Sequence, residues 1–397
     1  MLKAVIFDLD GVIIDSEPLH KRAVKNALLQ FGVELKDEYC NQFIGTTVVH
    51  MMDTICKDYN LTISLETLFE ANKQAKEKLL KEEGYSIIPG IRTLISDLYN
   101  HGILLAVASS STKEEIESAI SNLSSENVFS VLLSGTQVAN PKPAPDIFLE
   151  TAKLLSVDPS ECVVIEDSHL GVIAAKAAGM TRIGFMNTNS GNQDLSQVNF
   201  VVENFEEVDY KFVNQVYLRS KGKPITIAET PRLLIRELTV EDIKVMYTIY
   251  QQPKVREFID DIDNYLNVEI EKHKAYIKNV YSFYGYGYWG VFSKETGKLI
   301  GRCGIQNNEI DNRMEIELGY LLDVNHWGYG YALECVKCVL SYAFFELQIP
   351  RIVAVIDKFN IRSQKVAERV GMKKEKEFKY NFRNCYLYSI YRPNVQK

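Results

Sequence analysis

No stretch of this sequence approaches the roughly 18 uninterrupted apolar residues that a bilayer crossing requires, the longest runs being short ones such as 103–108. The opening MLKAVIFDLDG turns acidic at Asp8 and lacks the apolar core and small-residue cleavage site of a secretory leader. It reads as a first strand, and the chain as cytoplasmic with no membrane partner. Basic charge is also in deficit: 45 Lys and Arg stand against 52 Asp and Glu, a formal net charge of −7. That balance excludes a chain whose main task is neutralising nucleic-acid phosphates. The seven cysteines are an odd, scattered set and read as reduced thiols, not a disulfide framework. Cys335 and Cys338 have ligand-like spacing, but they fall inside the helix-period segment ALECVKCVLSYAFF with no second pair nearby, so helix packing is favoured over zinc.

What is present is enough apolar material for more than one core, since 397 residues at 46% hydrophobic exceed one typical domain. Over residues 1–215 the runs KAVIFD, ILLAVAS, VFSVLLS, CVVIED, TRIGFM and NFVVEN alternate with amphipathic stretches, which predicts an α/β fold with a Rossmann-like parallel sheet. Residues 15–85 interrupt this rhythm with helix formers and no strand alternation, so they are expected to form a helical cap over a core of 1–14 and 86–215. The polar run around 216–230 carries prolines and is expected to be a linker. Residues 231–397 have another texture, α+β, with PRLLIREL, YGYWGVF, KLIGRCGI and MEIELGYLL as strands and a glycine-rich loop, HWGYGYA, feeding a long apolar helix.

Asp8 and Asp10 end the first strand, and side chains two apart share a face, so both carboxylates are expected to address one point above the sheet edge. Parallel sheets hold ligands at the carboxyl ends of their strands. There the later segments supply Ser109 and Ser110, Lys142, and Glu166 with Asp167. Clustered carboxylates repel unless a hard cation joins them, so Asp8, Asp10 and Asp167 imply Mg²⁺. The four segments FDLDGVIIDSE, VASSS, NPKPAPDIF and VVIEDSHLGVIAAKAAGM resemble, in order and spacing, the motifs of haloacid dehalogenase-like phosphatases. The resemblance implies Asp8 as nucleophile, Asp10 as acid and then base, Lys142 and the Ser109 hydroxyl on the phosphoryl oxygens, and Mg²⁺ on Asp8, the Asp10 backbone and Asp167 with Glu166 in support. DSEPLH, with His20, resembles the cap entrance of the beta-phosphoglucomutase-like subgroup and implies a sugar-phosphate substrate. In the cap loop QFIGTTVVHMM, Val48 stands where the mutases carry a phosphate-gripping arginine, so phosphatase is ranked above mutase.

In the C-terminal part, glycines before a helix let bare N–H groups approach a pyrophosphate at its positive end. The loop HWGYGYA with RIVAVIDKFNIRSQKVAERVGM resembles GNAT-type N-acetyltransferases, particularly the branch acting on ribosomal proteins. That resemblance implies acetyl-CoA on Gly328, Gly330, Ala332, Asn360 and Ser363. Direct attack by an amine on the thioester needs a base and a donor for the departing thiolate. Glu317 is the candidate base, with a plain strand-surface carboxylate as the alternative. The family's tyrosine acid, seven residues after the asparagine, is Ala367 here, which leaves Ser363 or another tyrosine, or a unit that only senses acetyl-CoA. The expectation is a bifunctional enzyme whose partners are a small phosphate ester and an amine, either a small molecule or a protein N-terminus.

Overall fold

The computed structural model describes residues 1–36, 39–40, 43, 48–123, 126–259 and 262–393. The chain divides into two units, Met1–Ser220 and Lys221–Lys397. In the first, β1 (Ala4–Phe7), β2 (Leu104–Ser109), β3 (Phe129–Ser134), β4 (Cys162–Glu166), β5 (Thr181–Phe185) and β6 (Phe200–Val202) form one sheet in the order β3-β2-β1-β4-β5-β6. Every neighbouring pair is parallel. The continuous apolar run of β1 follows from burial on both faces: Val5 and Phe7 enter one core, Ala4 and Ile6 the other. Val5, Ile6 and Phe7 each contribute about 1.5–3 kcal/mol by leaving water. Because β2 and β3 lie to one side of β1 and β4 to β6 to the other, the strand order reverses beside β1, and its carboxyl end opens onto a crevice.

Helices α1 (Glu17–Leu29), α2 (Val48–Asp58) and α3 (Leu65–Glu83) make the insertion after β1, and among the described residues it contains no named strand. Ala23 and Ala27 of α1 meet Ala71 and Ala75 of α3, small residues that let the helices approach closely, and Arg22 clamps Glu83 through two bonds of 2.7 and 2.5 Å. The core helices are α4 (Ile91–Asn100), α5 (Lys113–Ser121), α6 (Asp146–Leu154), α7 (His169–Ala177) and α8 (Tyr210–Ser220). Thr112 and Glu115 cap α5 reciprocally, and Ser168 caps α7 through the Gly171 N–H.

The second unit holds β7 (Thr226–Glu229), β8 (Leu233–Arg236), β9 (Tyr288–Ser293), β10 (Leu299–Ile310), β11 (Arg313–Leu322), β12 (Arg351–Asp357), β13 (Lys373–Tyr380) and β14 (Arg383–Tyr391), in the order β13-β14-β12-β11-β10-β9-β8-β7. All pairs are antiparallel except β11 with β12, which run parallel with Glu317 opposite Val353. Its longer helices are α9 (Asp242–Tyr250), α10 (Leu266–Tyr276), α11 (Tyr331–Phe345) and α12 (Ile361–Arg369). The segment 216–230 differs from a linker: it holds the end of α8 and all of β7, because Val216 and Tyr217 are buried in the first core and β7 pairs with β8. Cys335 is buried in the second core, with Cys338 packed against it. No helix among the described residues is long and apolar enough to cross a membrane.

Candidate active sites

Asp8 follows β1 directly and is buried. Its Oδ1 accepts from Lys142 Nζ at 2.6 Å, and the same ammonium donates to Glu166 Oε1 at 2.6 Å and to the Ala108 carbonyl at 3.3 Å. Phe148 of α6 covers it, the ring centroid lying 5.1 Å away. Glu166, at the end of β4, accepts on its other oxygen from the backbone N–H and hydroxyl of Ser168, both at 2.9 Å. Asp167 accepts from Ser190 Oγ at 2.5 Å. Carboxylate oxygens of Asp8, Glu166 and Asp167 lie within 4.8 Å of one another.

Two glycines make the room. At Gly11 a Cβ would stand 1.9 Å from Asp167 Oδ2, and φ there is +79°; at Gly171 it would stand 1.7 Å from Glu166 Oε1. Burial pushes the Asp8 carboxyl well above its usual range against the opposing pull of Lys142, and burial with the neighbouring Glu166 pushes Asp167 up to about 7. Burial alone would lower Lys142, but Asp8 and Glu166 outweigh it and hold it protonated. Three carboxylates thus face one ammonium. This all-oxygen, over-negative donor set fits a hard divalent cation.

Asp10 stands near enough to Asp8 for its charge to raise that carboxyl, but its own carboxylate bonds elsewhere. The strand ends at Phe7, and the turn carries Asp10 Oδ2 to the hydroxyls of Ser111 at 2.6 Å and Ser109 at 3.3 Å, while its side chain stays out of the acid cluster. Ser110 is exposed. Ser111 and Ser190 are the contacts sequence reasoning missed: Ser111 was hidden in a run of three serines, and nothing local marks Ser190.

A pocket joins this edge to the cap, lined by Asp10, Ser111, His20, Lys76 and Glu115 among others. Burial, then the Lys76 charge, lowers the His20 pKa and favours the neutral ring. Lys76 of α3 reaches Glu115 of α5 at 2.7 Å, an ion pair from cap to core that was invisible inside a charge-laced helix. The cap-loop comparison at Val48 falls outside the described side chains.

In the second unit Glu317 lies on β11. Asn308 Nδ2 donates to its Oε2 at 2.6 Å and to the Tyr380 hydroxyl at 2.7 Å. Burial raises the Glu317 carboxyl, with the Asn308 bond pulling the other way. Gly328 and Gly330 take φ of +88° and +81°, and Gly330 is the N-cap of α11, whose second residue is Ala332. Arg232 braces the loop by donating to the Tyr329 carbonyl at 3.0 Å and pairing with Glu334 at 2.5 Å. Asn360 Oδ1 caps α12 by accepting from the Ser363 N–H at 3.1 Å, so that oxygen is already engaged. Ala367 is buried, and two phenols meet this helix: the Tyr320 hydroxyl donates to the Ser363 carbonyl at 2.9 Å, and the Tyr388 hydroxyl to Glu368 at 3.4 Å. Glu317 stands midway along β11, and the chain leaving that strand runs through the turn Val324–His326 into the glycine loop.

Residues 5–185 match the family described as haloacid dehalogenase-like hydrolase, and residues 232–373 match the acetyltransferase (GNAT) domain. The chain is 36% identical over 177 residues to a bifunctional riboflavin kinase/FMN phosphatase of Arabidopsis thaliana, covering 44% of this chain and 46% of that protein. It thus spans about half the length of that relative. It is 34% identical over 186 residues to a phosphorylated carbohydrates phosphatase of Thermotoga maritima, covering 46% of this chain and 84% of that one. The solved CbbY from Rhodobacter sphaeroides in complex with phosphate is 25% identical with a TM-score of 0.47, covering 54% of this chain and 100% of its own. With most of the Thermotoga protein's length matched at that identity, the chain belongs, through its first unit, to the haloacid dehalogenase-like hydrolases, and a GNAT acetyltransferase domain follows it.

Proposed function

We propose that the first unit is a cytoplasmic, Mg²⁺-dependent phosphatase of the beta-phosphoglucomutase-like subgroup, with core 1–14 and 86–215 and cap 15–85, hydrolysing a small sugar phosphate. The observation that carries this reading is Lys142 Nζ, held 2.6 Å from both Asp8 and Glu166 with Asp167 alongside. Mg²⁺ bound by the Asp8 and Asp167 carboxylates and the Asp10 carbonyl would neutralise phosphoryl oxygens. The chain does the rest. A carboxylate oxygen of Asp8 forms the bond to phosphorus as the ester P–O bond breaks, and Asp10 gives its proton to the departing alkoxide. Asp10, now ionised, takes a proton from the water that cleaves the aspartyl phosphate. Lys142 and the Ser109 hydroxyl hold the phosphoryl oxygens, Glu166 fixes Lys142, and neutral His20 meets the leaving sugar in the cap pocket.

For the second unit the same proposal is acetyl transfer from acetyl-CoA to a primary amine, in the ribosomal-protein-acetyltransferase-like branch. The N–H groups around Gly328, Gly330 and Ala332 would receive the pyrophosphate, with Asn360 and Ser363 along the pantetheine. Glu317 accepts the ammonium proton through water, and its raised pKa brings it closer to working pH. Tyr320 of β11, whose hydroxyl meets the Ser363 carbonyl on the turn of α12 preceding Ala367, would protonate the thiolate. An amino-sugar phosphate would serve both units.

The test is phosphate release from a panel of sugar phosphates with Mg²⁺, comparing the natural chain with Asp8→Asn. Loss in the variant supports the reading, unchanged release ends it, and interconversion of the ester without release would make it a mutase. For the second unit, thiol release from acetyl-CoA with amines and peptide N-termini is measured, and binding without release would leave a sensor.

A further inference from the structure

We propose that the sheet face carrying Glu317 also holds an oxyanion subsite, built around Arg302, that selects amine acceptors bearing a phosphate or carboxylate; this deepens the acetyltransferase reading and rests on it. On β10 and β11 Gln306 pairs with Glu317 and Arg302 with Leu321, while Arg302 also pairs with Gly290 of β9. Residues two apart share a face, so Arg302 and Glu317 lie on the same side of the sheet. Tyr288 bridges them, close enough to feel both charges.

The Arg302 guanidinium stands over the Tyr288 ring at 4.6 Å and the Tyr250 ring at 5.1 Å. It makes no hydrogen bond or ion pair among the described residues. The described acids around it are engaged elsewhere: Glu269 accepts from Lys272 and from the Asp263 N–H, Asp242 pairs with Arg236, and Glu317 takes Asn308. A partly buried cation without a counter-ion costs free energy that ring stacking only partly offsets.

The surrounding hydroxyls point the same way. Tyr281 donates its hydroxyl proton to the Tyr288 carbonyl at 2.5 Å, and the Tyr276 hydroxyl accepts from the Tyr288 N–H at 2.7 Å. The hydroxyls of Tyr250 and Tyr288 have no hydrogen-bond partner among the described residues, yet neither is sealed from solvent, although Tyr250 is only 2% exposed. Among the described residues the guanidinium and the hydroxyls of the two rings stacked on it are therefore donors without partners, the complement of an oxyanion. Leu321 lies four residues beyond Glu317, about 13 Å along the strand at ~3.3 Å per residue. Side chains reaching inward shorten that span, so amine and oxyanion belong to one compact molecule.

The experiment uses the full-length Asp8→Asn chain, so that the first unit does not consume phosphorylated probes. Thiol release from saturating acetyl-CoA is compared for glucosamine 6-phosphate against glucosamine, and for 4-aminobutyrate against butylamine; the two pairs separate phosphate from carboxylate. Arg302 should favour the anionic member of at least one pair by roughly tenfold to a hundredfold in kcat/KM, the range of a charge-assisted hydrogen bond. Arg302→Met should abolish the preference through KM, and Arg302→Lys should keep part of it. Equal preference with and without Arg302 overturns the proposal. If no amine is acetylated, the acetyltransferase reading falls on its own, and inorganic phosphate titrated against tyrosine fluorescence decides: a saturable change lost in Arg302→Met sustains the subsite, and identical curves remove it.

Discussion

In the first unit three carboxylates are packed out of water within 4.8 Å of one another and one ammonium bonds two of them, whereas the second unit sets one partly buried carboxylate, Glu317, against the neutral Asn308. The first arrangement is a charge network hung on one cation, so removing Lys142 leaves its carboxylates uncompensated, whereas removing a carboxylate relieves part of their repulsion. The second is a single titrating group whose neighbours adjust its affinity for a proton but do not depend on it. Mutation should therefore damage the first site mainly through stability and cation binding, and the second mainly through its pH dependence.

Lys142→Met tests this most severely. With Asp8 and Glu166 left without their shared cation, the first unit should lose about 3–5 kcal/mol in denaturant unfolding, and added Mg²⁺ should restore part of it. An unchanged midpoint would show that the network is not interdependent. Gly11→Ala comes next: a methyl 1.9 Å from Asp167 Oδ2 at a φ of +79° should cost about 1–3 kcal/mol and weaken Mg²⁺ binding in calorimetry, without altering any charged group.

In the second unit Glu317→Gln should lower acetyl transfer by about a hundredfold with little loss of stability. The sign of the pH effect follows from burial, which raises the folded carboxyl above its unfolded value. Its stabilising contribution is complete below the unfolded pKa and is lost as pH rises through the folded one, whereas the base is active only once ionised, so transfer should increase over that same rise. Asn308→Ala removes the bond that opposes the shift and should move the acidic limb of the kcat/KM profile to higher pH; an unmoved limb would mean that Glu317 does not titrate in the reaction. The smallest effect is expected at Lys76→Ala, where a half-exposed cap-to-core pair contributes about 0.5 kcal/mol to melting.

Much of the first site was legible because strand ends carry their polar residues within a few positions of an apolar run, as Asp8 follows Phe7 and Glu166 ends CVVIE. Ser190 could not be read this way, since only the tertiary course of the chain after β5 brings it to Asp167. Asp10 stands beside Ser109 and Ser111 and not among the clustered acids, a detail the face rule could not give because the chain has already turned out of the strand. The six parallel strands were legible from their runs, whereas β7 was lost between Pro224 and Pro231, where turn signals outweigh a four-residue strand. The charged strand β13 shows little apolar alternation: it is a sheet edge, where lysines replace the pattern and deter pairing with other chains.

Gly171 opens the helix behind Glu166 with no space for even one carbon beyond its Cα, the would-be methyl falling 1.7 Å from the carboxylate. Replacing that hydrogen with a methyl changes neither net charge nor any reacting group, so it offers a way to silence one half of the polypeptide while leaving the other half's chemistry intact. In a protein with two reaction centres on one chain, such a steric plug would let each be studied in the presence of the other's fold.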